Sequence, residues 1–199
     1  MDDLVEEVVA IAGHDIALLR PRDPDSLATQ EAYERDEFLP YWAELWPSAI
    51  ALARMVAARA LHGARTLELG CGLGLPSLAA ALAGGRVLAT DWSPDAVAMT
   101  EENARRNDAR LETLLCSWAE PDPIAARGPF DLVLASDVLY EARNREALGP
   151  LLPQLLAPRG SVWIAEPGRA DAESFLAGYE RREVPELARG GVYCVRSPA

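Results

Sequence analysis

Two periodicities alternate along this chain. In some segments apolar residues recur every three or four positions, as on one face of a helix. In others they form short blocks, as in a strand buried on both faces. Ser48–Leu61 has helical spacing, and Pro47 suits its first turn. Arg65–Leu69 reads as a strand, Gly70–Gly74 as a turn, and Leu75–Ala83 as a helix stopped by Gly84-Gly85. Arg86–Asp91 is the next strand. Ser93-Pro94-Asp95 opens a helix running to about Asn107, with Ser at the cap and Pro behind it. Leu111–Cys116 and Phe130–Ala135 are strands, the second nearly all apolar. Arg145–Leu156 is a helix ended by Pro158-Arg159-Gly160. A strand (Ser161–Ala165), a helix (Ala172–Tyr179) and a last strand (Gly191–Arg196) follow. Arg181–Gly190 contains Pro185 and makes a poor strand, so a sixth core strand is expected to be short at best.

The pattern before Ser48 differs. Glu7–Ala12 and Asp15–Leu19 flank Gly13-His14 and predict a hairpin. Arg20–Ser26, with two prolines, is a loop, and residues 29–38 are polar and helical in spacing. Strand–helix alternation after this point predicts an α/β fold: a Rossmann-like, doubly wound, mostly parallel sheet with helices on both faces. Residues 1–47 are expected to form an extension packed on a core of residues 48–199, one domain overall. In such sheets ligands bind beyond the carboxyl ends of the strands, so strand ends are where chemistry is expected.

Composition narrows the class. The 199 residues carry 31 acids against 19 bases, a net charge of −12, which argues against a sequence-independent hold on nucleic acid. All the bases are arginine, which codon bias explains most simply. Residues 1–44 hold 12 acids and 3 arginines, so most of the excess charge precedes the core. That acidity is either a solvated surface or a face for a basic partner. No apolar run reaches the ~18 residues of a membrane span, and Met1-Asp2-Asp3 is unlike a signal peptide. Cys71, Cys116 and Cys194 are far apart and form no CxxC, which fits the cytoplasm better than a disulfide framework. No metal site is expected, and His14 and His62 lie far from any strand end.

The strongest motif is Glu68-Leu69-Gly70-Cys71-Gly72-Leu73-Gly74, between the first core strand and its helix. Asp91 ends the next strand, where a carboxylate can take both hydroxyls of a ribose. A dinucleotide fingerprint would place Gly at position 75, which is Leu. Glu68, just before the loop, would repel a pyrophosphate and favour a ligand with positive charge. S-adenosylmethionine (AdoMet) has a sulfonium, an ammonium and a ribose, and no phosphate.

On these residues the chain resembles the class I, seven-β-strand AdoMet-dependent methyltransferases along nearly its whole length. Pro40–Pro47, the D-x-x-Y of Asp137 and Tyr140, and Glu166-Pro167-Gly168-Arg169 resemble the family 16 group. That group includes the lysine methyltransferase acting on the electron-transfer flavoprotein beta subunit and bacterial proteins resembling nicotinamide N-methyltransferase. The resemblance implies AdoMet as cofactor and S-adenosylhomocysteine (AdoHcy) as product. It also implies that Trp46, Glu68, Gly70, Cys71, Gly72, Gly74, Asp91, Trp92, Ser117, Trp118 and Ser136 border the cofactor. Asp91 is then expected on the ribose, with Trp92 beside the adenine and a residue of Cys116-Ser117-Trp118 bordering it. Asp137 is the expected catalytic carboxylate, with Tyr140 as wall and hydrogen-bond partner.

Structural readings of the same residues stand beside these. Asp137 fits a helix N-cap, and both roles can coexist. Trp42 and Trp46, four apart, fit one face of a packed helix. Trp118 fits the core, Cys71 fits simple packing, and Asp131 opens a strand and reads as structural. The activity expected from the resemblance is N-methylation of a protein lysine by a monomer. A small-molecule amine as acceptor and a non-catalytic AdoMet-binding module remain open.

Overall fold

A computed structural model of the chain describes residues 3–11, 13–27 and 40–197. Seven strands form one sheet: β3 (Arg65–Leu69), β4 (Arg86–Asp91), β5 (Leu111–Leu115), β6 (Phe130–Ser136), β7 (Leu156–Glu166), β8 (Glu180–Arg182) and β9 (Gly191–Arg196). Their spatial order is β5-β4-β3-β6-β7-β9-β8. β3, β4, β5, β6 and β7 pair in parallel, and β9 pairs antiparallel to both β7 and β8. Strand order reverses between β3 and β6, which opens a crevice at their carboxyl ends.

Helices cover both faces. They are α1 (Pro47–Ala57), α2 (Leu75–Leu82), α3 (Pro94–Arg106), the single turn α4 (Asp122–Ala125) and α5 (Ala142–Leu155). Strand alternation divides the core. Val133, Ala135, Val162 and Ile164 face Ile124 of α4 and Leu148, Leu151, Leu152 and Leu155 of α5. Leu132, Leu134, Trp163 and Ala165 face Ala51, Leu52 and Val56 of α1 and Ala80 of α2. β6, with no charged residue between Leu132 and Ala135, is buried on both sides for this reason.

The expected hairpin is present and longer than its apolar pattern. β1 (Leu4–Ile11) and β2 (His14–Pro21) pair antiparallel in register from Leu4 with Pro21 to Ile11 with His14. Its inner face (Val9, Ile11, Ile16, Leu18) packs on Ala53, Leu75, Leu78, Ala79 and Ala104. The helix expected over 29–38 falls outside the described residues.

Four expectations are corrected. The first core helix ends at Ala57 rather than Leu61, and the chain then turns through His62 and Gly63, both at positive φ. Trp42 and Trp46 share no helix: Trp42 lies in a 3-10 turn (Tyr41–Ala43), and Trp46 is the extended residue capping α1. The Ala172–Tyr179 helix does not form. A 3-10 turn (Ala170–Ala172) continues as turns with an i+4 hydrogen bond (Leu176 N–H to Ala172 O) and an i+3 one (Tyr179 N–H to Leu176 O). Finally, Pro158-Arg159-Gly160 does not separate helix from strand. β7 begins at Leu156, and its register to β6 shifts between Phe130 and Leu132. Glycine permits that irregularity, because a Cβ at Gly160 would sit 2.8 Å from the Phe130 carbonyl oxygen.

Leu134 sits in the middle of β6 and has no exposed surface. Leu134→Ala is expected to lower stability by about 2–5 kcal/mol. Urea unfolding should show this as a lower midpoint at unchanged slope.

Candidate active site

A cleft of about 590 Å³ lies over the carboxyl ends of β3, β4 and β6. Its floor is the loop Gly70–Gly74, and one side is Asp91 and Trp92 at the end of β4 with Ser117 and Trp118 after β5. The other side is Ser136 at the end of β6 with Asp137 and Tyr140 after it, and Tyr41, Trp42, Glu44, Leu45 and Trp46 of the N-terminal segment border the cleft.

The floor turns sharply, with Gly70, Gly72 and Gly74 all at positive φ (72°, 53° and 83°). At Gly72 two constraints coincide. Its conformation is left-handed, and a Cβ there would lie 3.1 Å from the Trp42 carbonyl oxygen, because the N-terminal segment crosses directly over the loop. Asp91 holds the loop from β4: Oδ2 accepts the Gly72 N–H at 3.0 Å and Oδ1 accepts the Ser93 N–H at 3.0 Å. Burial pushes the Asp91 carboxyl up from its usual value, and these backbone donors pull it back only in part. Each oxygen keeps acceptor capacity, so the group can still meet hydroxyls in the cleft.

Asp137 follows β6 with φ at 58°, a left-handed conformation that Asp and Asn tolerate best among residues with side chains. It caps no helix: the N-cap of α5 is Glu141. Instead its Oδ2 accepts from Ser48 Oγ at 3.2 Å, and its Oδ1 lies 2.5 Å from Arg169 Nη1. Arg169 also reaches both carboxylate oxygens of buried Glu166 at 3.3 Å. Burial raises the Glu166 carboxyl, against the pull of Arg169. Tyr140 stands edge-on to Tyr41 (ring centroids 5.4 Å apart), and Tyr41 in turn is edge-on to Trp46 (6.2 Å). Burial pushes the Tyr140 phenol up, so it stays protonated near neutral pH.

The lysine methyltransferase family matches residues 35–181. The chain belongs to this family. It is 34% identical over 139 residues to the electron transfer flavoprotein beta subunit lysine methyltransferase of Xenopus laevis, across 68% of this chain and 55% of that one. It is 31% identical over 151 residues to EEF1A lysine methyltransferase 3 of Mus musculus, across 72% of this chain and 62% of that one. The chain thus spans little more than half the length of these relatives. Its fold also resembles T. thermophilus 16S rRNA N2 G1207 methyltransferase (RsmC), solved in complex with AdoMet and guanosine. There the TM-score is 0.72 at 14% identity, over 99% of this chain and 51% of that one.

Of the site residues expected from sequence in this family member, all line the cleft except Glu68. The Glu68 side chain is fully buried beneath the loop, where Oε2 accepts from Ser77 Oγ and, at 2.8 Å, from the Ser77 N–H. It satisfies a first-turn donor of α2, whose N-cap Gly74 offers no side chain. Burial raises its pKa from 4.5 to about 8, so at neutral pH it is largely uncharged and does not repel phosphate. Contrary to expectation, Glu68 therefore does not favour a cationic ligand by its charge; it holds the start of α2 from beneath the loop. Trp118 serves both readings, packing on the core with one part and lining the cleft with another. Cys71 lines the cleft and packs against Thr100, 3.3 Å from its Oγ1. Asp131 is structural, accepting the Arg65 N–H at 2.8 Å. His14 and His62 are exposed and line no part of the cleft.

Sequence reasoning missed Ser48, Arg169 and Tyr41 as partners of the site. Arg169 carried a signal, since it closes the Glu166–Arg169 segment, whereas Ser48 carried none beyond following Trp46-Pro47. The acidic N-terminal stretch is also less free than its charge implies. Asp3 pairs with Arg22, Glu6 with Arg106 and Glu7 with Arg20.

Glu68→Gln keeps an acceptor for Ser77 and removes the ionisable group. Because folding raises the Glu68 pKa, the folded state keeps a proton that the unfolded state has lost between pH 4.5 and about 8. Wild type is therefore expected to lose stability relative to E68Q across that window, with the smallest gap below it. Thermal unfolding of both proteins against pH checks this, and a gap independent of pH would contradict the buried protonated carboxyl.

Proposed function

We propose that this protein transfers the methyl group of AdoMet to the side-chain nitrogen of a protein lysine. The observation that carries this reading is the Asp137 carboxylate. It stands at the carboxyl end of the central strand, held by Ser48 and Arg169, on the cleft wall between the glycine loop and Tyr140. The names of the relatives support the acceptor class, since two are lysine methyltransferases of proteins.

The cleft fits AdoMet on its own chemistry. A glycine loop lets a ligand approach the backbone, a carboxylate (Asp91) is available to a hydroxyl pair, and two indoles (Trp92 and Trp118) offer flat apolar faces. Trp46, Gly70, Cys71, Gly72, Gly74, Ser117 and Ser136 complete the proposed cofactor wall, with Glu68 supporting the loop from below. Bound AdoMet supplies a methyl group already activated on sulfonium sulfur. The protein's part is to align a nitrogen lone pair and to manage charge on that nitrogen. Asp137 can accept a hydrogen bond from the acceptor N–H, which aims the lone pair, and can stabilise the positive charge that grows on nitrogen. Ser48 and Arg169 restrict the carboxylate to one orientation. Tyr140 and Tyr41 form an apolar wall along which the methylene stem of a lysine can lie.

Residues 1–47 belong in this reading to an extension of a single domain that completes the cleft rim. A cytoplasmic monomer is part of the same proposal. All three cysteines are free, and no helix among the described residues is long and apolar enough to cross a membrane. A small amine as acceptor is the second reading, favoured by the Tyr41–Tyr140 contact and by the Trp42 backbone crossing the glycine loop, which set the N-terminal segment against the cleft.

Asp137→Ala is expected to cut methyl transfer by at least about a hundredfold while AdoMet affinity changes less than about threefold, because the carboxylate acts on the acceptor. Turnover and isothermal calorimetry measured together check it, and unchanged turnover would remove Asp137 from the mechanism. Tritiated AdoMet in a lysate should label protein, with the label recovered as methylated lysine after hydrolysis. Label confined to small molecules would favour the second reading.

A further inference from the structure

Thr100 and Asn103 of α3 and its C-cap residue Asn107 lie in a row between the cofactor loop and the N-terminal hairpin. Thr100 Oγ1 donates to the Gly72 carbonyl oxygen at 3.0 Å. The Asn103 carboxamide is fully buried and fully used. Its Oδ1 accepts the Leu19 N–H at 2.7 Å, and its Nδ2 donates to the Leu19 oxygen at 3.1 Å and to the Leu73 oxygen at 3.0 Å. Asn107 repeats the clasp two residues back along β2. Its Oδ1 accepts the Ala17 N–H at 2.9 Å and its Nδ2 donates to the Ala17 oxygen at 2.8 Å.

The spacing explains the arrangement. Residues four apart on a helix lie about 6 Å apart, and alternate residues of a strand repeat at about 6.6 Å. Two carboxamides one turn apart therefore pair with Ala17 and Leu19 as a third strand would. The β2 edge that faces away from β1 is thus satisfied without a further strand. Asn107 touches only the hairpin and its own helix. Asn103 touches the hairpin and also Leu73, the residue between Gly72 and Gly74, whose peptide orientation decides how the loop presents its backbone.

We infer that Asn103 is a positioning residue for the cofactor, and that it couples docking of the N-terminal hairpin to the shape of the glycine loop. This rests on the reading of the cleft as an AdoMet site. A docked hairpin fixes the Asn103 carboxamide, which holds the Leu73 carbonyl, while Thr100 holds the neighbouring Gly72 carbonyl. Coupling of this kind is reciprocal, so a ligand that orders the loop also tightens the hairpin.

The test uses the full chain with AdoHcy as probe, read by calorimetry and by amide hydrogen exchange. In wild type, AdoHcy should slow exchange at Ala17 and Leu19, which lie outside the cleft, and leave the β8–β9 pair unchanged. Asn103→Leu should weaken AdoHcy about tenfold or more. Asn107→Leu alters no atom that touches the loop. It should speed exchange at Ala17 and still weaken AdoHcy about threefold or more while exchange in the α3 amides stays as in wild type, so that the effect arrives through hairpin docking and not through the Asn107 Nδ2 bond to the Asn103 oxygen. Wild-type affinity in Asn107→Leu despite faster exchange at Ala17 would overturn the coupling, as would wild-type affinity in Asn103→Leu. If the variants do not fold, the wild-type exchange decides alone: no AdoHcy-dependent change at Ala17 and Leu19 overturns the proposal. Failure of wild type to bind AdoHcy or AdoMet at all would overturn the cofactor reading, and this inference with it.

Discussion

The loop from Gly70 to Gly74 must reverse the chain between a buried strand and a buried helix with its backbone groups satisfied. The backbone supplies part of that: the Gly70 and Cys71 N–H groups donate to the Thr90 oxygen, Gly74 N–H to the Cys71 oxygen, and Leu78 N–H to the Gly74 oxygen. Side chains hold the loop and the helix start behind it from three further directions. Asp91 takes the Gly72 N–H from the neighbouring strand, and Glu68 takes the Ser77 N–H from below. Thr100 and Asn103 hold the Gly72 and Leu73 carbonyls from α3. Buried polar groups are costly unless paired, so each residue is tied to this loop geometry as firmly as the loop is tied to it. The rest of the cleft is arranged around that fixed floor. The N-terminal segment crosses it at Trp42, and the end of β6 stands beside it.

The second constraint is at Asp137. A residue with a side chain carries strain in the left-handed region and keeps that conformation only where its surroundings determine it, as they do here. The Asp137 N–H is bonded to the Ala165 oxygen at 2.9 Å, and its carboxylate is caught between Ser48 of α1 and Arg169 beyond β7. Two separated pieces of chain thus converge on the carboxylate and a third holds the residue's backbone. That suits a group whose proposed task depends on its direction as well as on its charge.

Much of this was legible in sequence because it is written in local rules. The apolar block Leu132–Ala135 marks a central strand, Ser93-Pro94 marks a helix start, and the glycines of the loop mark a turn at a strand end. Ligand placement in α/β sheets then points to Asp91 and Asp137, which end their strands or follow them. The failures have a common cause, which is that periodicity carries no information about tertiary partners. The segment 172–179 has helical spacing, yet it makes one i+4 bond (Leu176 N–H to Ala172 O) and one i+3 bond (Tyr179 N–H to Leu176 O) in place of a continuous helical ladder. Glu68 looked like a ligand-facing charge, but strand alternation aims it into the protein, where burial neutralises it. Ser48 and Arg169 reach the site through folding alone, from residues far apart in sequence.

The backbone at Asp137 also shapes how this chain can diverge. A left-handed position next to a reactive centre admits few side chains cheaply, and asparagine is one of them. Asparagine matches aspartate in size and can still accept from Ser48, but it forfeits the ion pair with Arg169 and the charge that the proposed chemistry uses. A single nucleotide change in an aspartate codon produces it. The fold therefore holds, one mutation away, a form that would keep its cofactor pocket and its shape while losing methyl transfer. A binding protein of that kind would arise here without the core having to be rebuilt.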